Sequence, residues 1–276
     1  AARAEIVFHL AAQALVGRSY EEPVTTFETN VMGTVNVLEA ARTTPGVRAV
    51  VVVTSDKCYE VRDGAGAYRE GDALGGRDPY SASKACAELA TSAYRRAFTP
   101  DGPRLASVRA GNVLGGGDWA RDRLVPDLVR ALHAEEPALI RNPSSVRPWQ
   151  HVLDPIAGYL KVAEALHSGV PGIDDAWNFG PGPSSERPVS ELATALCAMW
   201  GAGAVWRHVA TEDFGHEART LTLDARKARA RGWAPRLDYR ATLRWTVEWY
   251  RAVAGGADAR AVTLEQIRRH RELPAA

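Results

Sequence analysis

The sequence predicts an α/β protein, a doubly wound, Rossmann-like parallel sheet joined to a smaller carboxyl-terminal substrate region. Two runs carry the prediction: Ile6-Val7-Phe8-His9-Leu10 and Ala49-Val50-Val51-Val52-Val53 are short, continuous, apolar and rich in branched residues. That is the pattern of strands covered on both faces. A helical pattern separates them, and the alternation then continues along the chain.

From Pro23, the apolar positions Val24, Phe27, Val31, Val35 and Leu38 recur at steps of three and four, and Pro45-Gly46 supplies a stop. This predicts a helix from Pro23 to Ala41. Tyr80 to Ala97 reads as a second helix and Leu105 to Val108 as a third strand. After Gly111 the texture changes: Gly115-Gly116-Gly117 is followed by prolines at 126, 137, 143 and 148, which cut the chain into shorter elements. Asp154 to Leu166, Val189 to Trp200 and Arg240 to Val253 read as helices, Trp177 to Phe179 as a returning strand, and the charged tail after Gly255 as a fraying helix. The expected division is 1–113 plus about 151–180 for the cofactor-binding domain, with 114–150 and 181–276 for the substrate domain.

Composition narrows the function. With 276 residues, 46% of them hydrophobic, the chain can bury a full core. A formal net charge of +1 gives no bulk positive field for nucleic acid, so any anion site must be local. No apolar stretch approaches the ~18 residues of a membrane span, and no leader pattern precedes the first strand. Cys58, Cys86 and Cys197 are odd in number and widely spaced, which argues against a disulfide framework or a metal site. A cytoplasmic location is the expectation.

Asp78-Pro79-Tyr80-Ser81-Ala82-Ser83-Lys84 places a phenol and an ammonium on one helical face. A free phenol titrates near ~10, so a tyrosinate base at neutral pH needs about 4 kcal/mol of help, which a neighbouring cation can largely supply. Thr54-Ser55-Asp56-Lys57 follows directly on the second strand, at the sheet edge where ligands bind in such folds. There Ser55 could hydrogen-bond a substrate oxygen, while Asp56 and Lys57 exchange protons. A simple capped turn would use the same residue types. Asn112, Arg123, Arg141 and Arg147 are candidates for gripping an anionic substrate, and Arg147 stands out because Pro148 and Trp149 would fix its backbone and stem. His9 and His151 read as structural, and the aromatics from Trp233 to Tyr250 as helix packing.

Five ordered motifs resemble one family. They are His9-Leu10-Ala11-Ala12-Gln13, Thr29-Asn30-Val31-Met32-Gly33-Thr34, Thr54-Ser55-Asp56-Lys57-Cys58-Tyr59-Glu60, Arg109-Ala110-Gly111-Asn112-Val113 with Gly115-Gly116-Gly117-Asp118-Trp119, and Arg147-Pro148-Trp149-Gln150-His151-Val152. Together they resemble the extended short-chain dehydrogenase/reductases, specifically the nucleotide-sugar 4,6-dehydratases, and are most similar to the branch acting on CDP-glucose. The resemblance implies an NAD-dependent lyase that converts CDP-D-glucose to CDP-4-keto-6-deoxy-D-glucose with its cofactor recycled internally. It implies that Ser55, Tyr80 and Lys84 form a catalytic triad, that Asn30 supports a proton path beside Lys84, and that Leu10, Ala11, Ala12, Gln13, Asn30, Thr54, Tyr80 and Lys84 line the NAD.

Relatives acting on dTDP-glucose carry Asp-Glu where this chain has Asp56-Lys57. The assignment preferred here is Asp56 as acid and Lys57 as base, with the reverse left open. Rival readings are a dehydratase for another nucleotide, a 4-epimerase, or an inactive partner of a complete homologue. An epimerase has no use for the acid and base that eliminate water.

Family members open with a strand and a Gly-x-x-Gly-x-x-Gly turn, and only Gly17 precedes Met32 here. Either the sequence is a fragment or it is a remnant without that half-site, and the first is preferred because the catalytic set is intact. Weak NAD binding by this polypeptide is the expectation, which nanomolar binding in a calorimeter would contradict. The apolar stripes of the two predicted helices, 23–41 and 80–97, allow a four-helix contact, as in a homodimer or homotetramer.

Overall fold

The computed structural model describes residues 3–62, 66–99, 101–209 and 221–274. The chain divides into two compact units. One comprises Ala1–Gly111, Ile156–Phe179 and Leu223–Trp233; the other Asn112–Pro155, Gly180–Thr222 and Ala234–Ala276. The stretch 223–233 therefore returns to the first unit, where the sequence reading had placed it in the second. Its reason is packing: Ala225, Ala228 and Trp233 are buried in the core beneath the first unit's sheet.

That sheet holds four parallel strands, β1 (Ile6–His9), β2 (Ala49–Val53), β3 (Arg104–Ala110) and a last strand, Ala176–Phe179, adjacent in that order. Val50, Val52 and Leu105 face a core with Leu38 and Ala41. Ala49, Val51, Ala106 and Val108 face the other, with Tyr159, Val162 and Leu166 of the helix Leu153–His167. The alternation of sides along each strand, with both sides packed on apolar neighbours, is why these runs are mostly apolar.

The helix expected over 23–41 is interrupted. It comprises α2 (Pro23–Phe27), a wide π turn over Glu28–Met32, and α3 (Gly33–Thr43), preceded by the short α1 (Val16–Glu21). One added residue in a turn leaves the apolar spacing nearly unchanged, so periodicity does not report it. Helix α4 spans Pro79–Phe98. Its start is fixed by sequence: the Asp78 carboxylate accepts hydrogen bonds from the Ser81 amide at 2.9 Å and the Ser81 hydroxyl at 2.6 Å, and Pro79 occupies the first helical position. Gly76 has φ +152°, and a side chain there would lie 2.5 Å from the Ala82 amide, so only glycine lets this loop pass under the helix start.

In the second unit, the helices Leu124–His133, Val189–Trp200 and Tyr239–Ala254 share one apolar core. A Cβ on Gly116 would lie 1.9 Å from the Trp249 ring, which explains that glycine. The charged tail does not fray. Ala259–Glu272 is a helix with Gln266 and His270 buried, Gln266 donating to the Trp245 carbonyl and His270 bonded to Asp154 at 2.8 Å.

His151, in the same unit, is 1% exposed; its Nδ1 accepts from the Leu153 amide, and its Nε2 has no hydrogen-bond partner among the described residues. Burial, reinforced by the nearby His270 and opposed by Asp154, pulls its imidazole down to about 4 from 6.5. Between those values the unfolded chain binds the extra proton. The stabilisation from keeping this ring neutral is complete above pH 6.5 and fades as pH falls towards 4, a loss of about 3 kcal/mol. Urea melts at pH 7.5 and 5 should show the fall, and His151→Leu should flatten it. An unchanged slope in the variant would assign the acid sensitivity elsewhere.

Among the described residues, no helix is long and apolar enough to cross a membrane.

Candidate active site

The chemistry-bearing residues of the first unit gather at the carboxyl ends of its strands. β2 ends at Val53, and the next residues turn through Ser55 into a single helical turn, Asp56–Cys58, which packs against α4. Ser55 caps that turn: its Oγ accepts from the Lys57 amide at 3.2 Å and donates to Asp56 Oδ1 at 3.0 Å. The capped-turn reading and the functional one thus describe the same geometry, in which capping fixes the hydroxyl beside a carboxylate. Asp56 is buried and Lys57 half-buried.

Tyr80 and Lys84 occupy the inward face of α4, 8% and 6% exposed. Lys84 Nζ donates to the Val53 carbonyl at 3.2 Å, which places the amine against the strand end that carries Ser55. Burial pulls this ammonium down to about 8, while the negative charge of Glu88 pulls it back up. The imidazole of His9, at the end of β1, is pulled below its ordinary value by its own burial and then by the Lys84 charge, and its Nε2 lies 3.1 Å from the Thr34 hydroxyl.

The π turn places Asn30 inside. Its amide holds both backbone groups of Gln13, accepting from N–H at 2.8 Å and donating to C=O at 3.0 Å, and it also donates to Ser83 Oγ at 2.9 Å. Ser83 in turn donates to the Tyr80 carbonyl at 2.7 Å. One asparagine therefore ties the loop after β1 to α4. Leu10 and Ala11 of that loop are exposed and Ala12 half-buried, whereas Gln13 is buried and uses its side chain on Thr26 and the Leu15 backbone.

Thr54, expected to line a cofactor, sits at the same strand end. Its hydroxyl donates to Glu88 Oε1 at 2.5 Å, turned into the protein. The carboxylate of Glu88 also accepts from Ser107 at 2.6 Å and from both arms of Arg109, at 2.9 and 2.7 Å. Arg109 continues to the Tyr59 hydroxyl at 2.7 Å, and Tyr59 donates to Asn178 Oδ1 at 2.7 Å. Sequence reading missed this network; its one signal was Glu88 standing four residues beyond Lys84, on the same helical face.

The four proposed anion-binding residues lie in the second unit. Arg123 pairs with Asp118 and Arg141 with Asp122, each at 3.3 Å, on side chains 39% and 48% exposed. Such exposed pairs hold little energy. Arg147 differs. It is 6% exposed in the strand Val146–Pro148, with an Nη1 donating to the Val146 carbonyl. Asn112 is half-buried, its carbonyl accepting from the Gln150 amide. Cys58, Cys86 and Cys197 are free thiols.

The family model for the NAD dependent epimerase/dehydratase family matches residues 1–180. The chain belongs to that family. Among curated members, it is 47% identical to CDP-glucose 4,6-dehydratase of Salmonella typhimurium over 92% of its own length and 72% of that protein. It is 31% identical to dTDP-glucose 4,6-dehydratase of Streptomyces griseus, over 88% and 71%. Among solved structures, it is similar to the dTDP-glucose 4,6-dehydratase DesIV of Streptomyces venezuelae with NAD bound, with a TM-score of 0.77, 31% identity, and coverage of 91% of this chain and 74% of that one.

The residues at the strand ends fit the family's cofactor. An ammonium has three N–H groups, and Lys84 spends one on Val53, leaving donors suited to ribose hydroxyls. Tyr80 on the same face, and the exposed small-residue loop at Leu10-Ala11-Ala12, complete a donor set of that kind.

Proposed function

We propose that the chain is a CDP-glucose 4,6-dehydratase that forms CDP-4-keto-6-deoxyglucose. The observation that carries this reading is the packing of the Ser55-Asp56-Lys57 turn against the helix bearing Tyr80 and Lys84. A base for alcohol oxidation and an acid–base pair for eliminating water thereby share one site, as dehydration requires and epimerisation does not.

Lys84, Tyr80, Asn30 and the 10–12 loop would hold NAD, which when bound accepts the C4 hydride and later returns it to C6. Ser55 orients the C4 hydroxyl, and Tyr80 removes its proton, assisted by the Lys84 charge. The resulting 4-ketone acidifies the C5 hydrogen. Lys57, as the free amine, then takes the C5 proton while Asp56 protonates the departing C6 oxygen, which leaves as water, and Lys57 returns a proton to C5 as C6 regains its hydrogen. Asp56, hydrogen-bonded to Ser55 and buried, is the member of the pair held most rigidly. Arg147 and Asn112 would serve the diphosphate, and Arg123 and Arg141 would first have to leave their carboxylate partners.

The test is incubation with NAD and each nucleotide-linked glucose, followed by alkali, in which the 4-keto product absorbs as its enolate. Product from CDP-glucose alone supports the nucleotide; product from dTDP- or UDP-glucose in preference would replace it. For the roles, Lys57→Ala is expected to slow exchange of the C5 hydrogen with solvent by at least about 10²-fold, the scale of a lost general base. Exchange at the parent rate would pass the base role to Asp56.

The reading extends to a homodimer or homotetramer. Val24, Phe27 and Met32 along 23–32 and Leu89 on α4 are exposed apolar residues of the kind an interface covers. The free thiols suit a reducing cytoplasm.

A further inference from the structure

The buried ion pair beneath the active site has no place in the proton transfers described above. Glu88 and Arg109 are each 3% exposed, joined by a two-armed contact. The four hydrogen bonds to the Glu88 carboxylate described above come from elements other than its own helix: Thr54 from the end of β2, and Ser107 and Arg109 from β3. The Thr54 amide is tied as well, donating to the Val108 carbonyl at 2.9 Å. Thr54 immediately precedes Ser55, and Glu88 lies one turn beyond Lys84. Beside the bond from Lys84 to the Val53 carbonyl, the two halves of the chemistry are thus joined by a short hydrogen bond with a rigid support behind it.

We infer that Thr54, Glu88 and Arg109 are positioning residues, which fix the strand end carrying Ser55, Asp56 and Lys57 to the helix carrying Tyr80 and Lys84. A charge-assisted bond is stronger and shorter than a neutral one, and here its acceptor cannot swing, because Arg109 and Ser107 hold the carboxylate in place. Arg109 is itself held by the Tyr59 hydroxyl and the Glu70 carbonyl, with its guanidinium 4.9 Å over the Tyr59 ring. Tyr59 lies directly after the Asp56–Cys58 turn and is anchored on Asn178 in the last strand. Both ends of the catalytic turn are therefore fastened to one ion pair, Thr54 through Glu88 and Tyr59 through Arg109. Small misplacement of reacting groups costs rate steeply, so the tether acts on kcat rather than on substrate affinity.

This rests on the dehydratase reading, and the test separates the two. Glu88 and Arg109 variants would disturb folding, so the probe is Thr54→Val, nearly isosteric but without the donor, beside Thr54→Ser, which restores it. In Thr54→Val, kcat should fall ten- to a hundredfold with KM within threefold, and Thr54→Ser should recover to within threefold of the parent. In parallel, hydrogen–deuterium exchange of a peptide covering 54–59 should accelerate at least tenfold in Thr54→Val and return in Thr54→Ser. A parental kcat, an effect confined to KM, or unchanged exchange in the valine variant would each overturn the inference. Should the parent dehydrate no nucleotide sugar, the dehydratase reading fails, and the exchange measurement still decides whether the tether exists.

Discussion

Tyr80→Phe is expected to lower kcat by about 10³-fold or more while the protein stays folded. The change removes one oxygen from a side chain 8% exposed on the inward face of α4 and leaves the ring's packing in place. Loss of a positioned general base typically costs 10²–10⁴-fold, and in the proposed mechanism Asp56 and Lys57 serve C5 and C6, which leaves no second base for C4. The reaction should stall before any 4-keto sugar forms, so that C5 exchange with solvent vanishes too. Lys57→Ala also slows C5 exchange but blocks a later step, so it should still form the 4-keto sugar, and that separates the two variants. The partner cation gives the expected pH behaviour. Because burial holds Lys84 near 8 against the pull of Glu88, its charge, and the help it gives the phenolate, decline as pH rises through that value. A Tyr80→Phe variant retaining more than a tenth of parental kcat would remove the phenol from the mechanism.

Glu88→Ala is expected to produce the largest loss of stability, about 3–5 kcal/mol, the usual cost of stranding a buried charge. Arg109 would remain 3% exposed without its carboxylate, and the Thr54 and Ser107 hydroxyls would lose their acceptor as well. Chemical melts read this directly. Glu88→Leu combined with Arg109→Met removes both charges, and buried pairs exchanged for apolar residues of similar size are often neutral or better. The double variant should therefore recover much of the stability lost in the single one, yet remain slow in catalysis because the Thr54 hydroxyl keeps only the Val108 carbonyl and no longer reaches α4. Equal stability of Glu88→Ala and the parent would mean that Arg109 finds another partner or reaches water.

What was legible in the sequence was what is locally determined. The apolar runs that became β1 and β2, the Asp78-Pro79 start of α4 and the spacing of Tyr80 and Lys84 each depend on neighbours within a few residues. Contacts between distant segments were not legible. Glu88 and Arg109 are 21 residues apart, and each alone looks like a surface charge; only the sheet brings them together. The return of 223–233 to the first unit depends on Trp233 meeting Phe179, a ring contact at 5.0 Å between residues far apart in sequence. The terminal helix misled for a related reason. Its charge density suggested solvent, while its two anchors, Gln266 and His270, are polar residues whose burial depends on Trp245 and Asp154. Thr54 was legible only as a neighbour of the Ser55-Asp56-Lys57 turn; the carboxylate its hydroxyl meets is 34 residues away.

The wide turn at 28–32 makes this stretch of backbone intolerant of length change. In an ordinary α-helix each residue advances about 100° around the axis, so deleting a single residue between Glu28 and Met32 would wind the turn back to regular pitch and swing the amide of Asn30 away from Gln13 and Ser83 together. Substitutions on the outer surface of this helix would leave those hydrogen bonds in place. A change in its residue count would not, and descendants of this chain should preserve that number more faithfully than the letters around it.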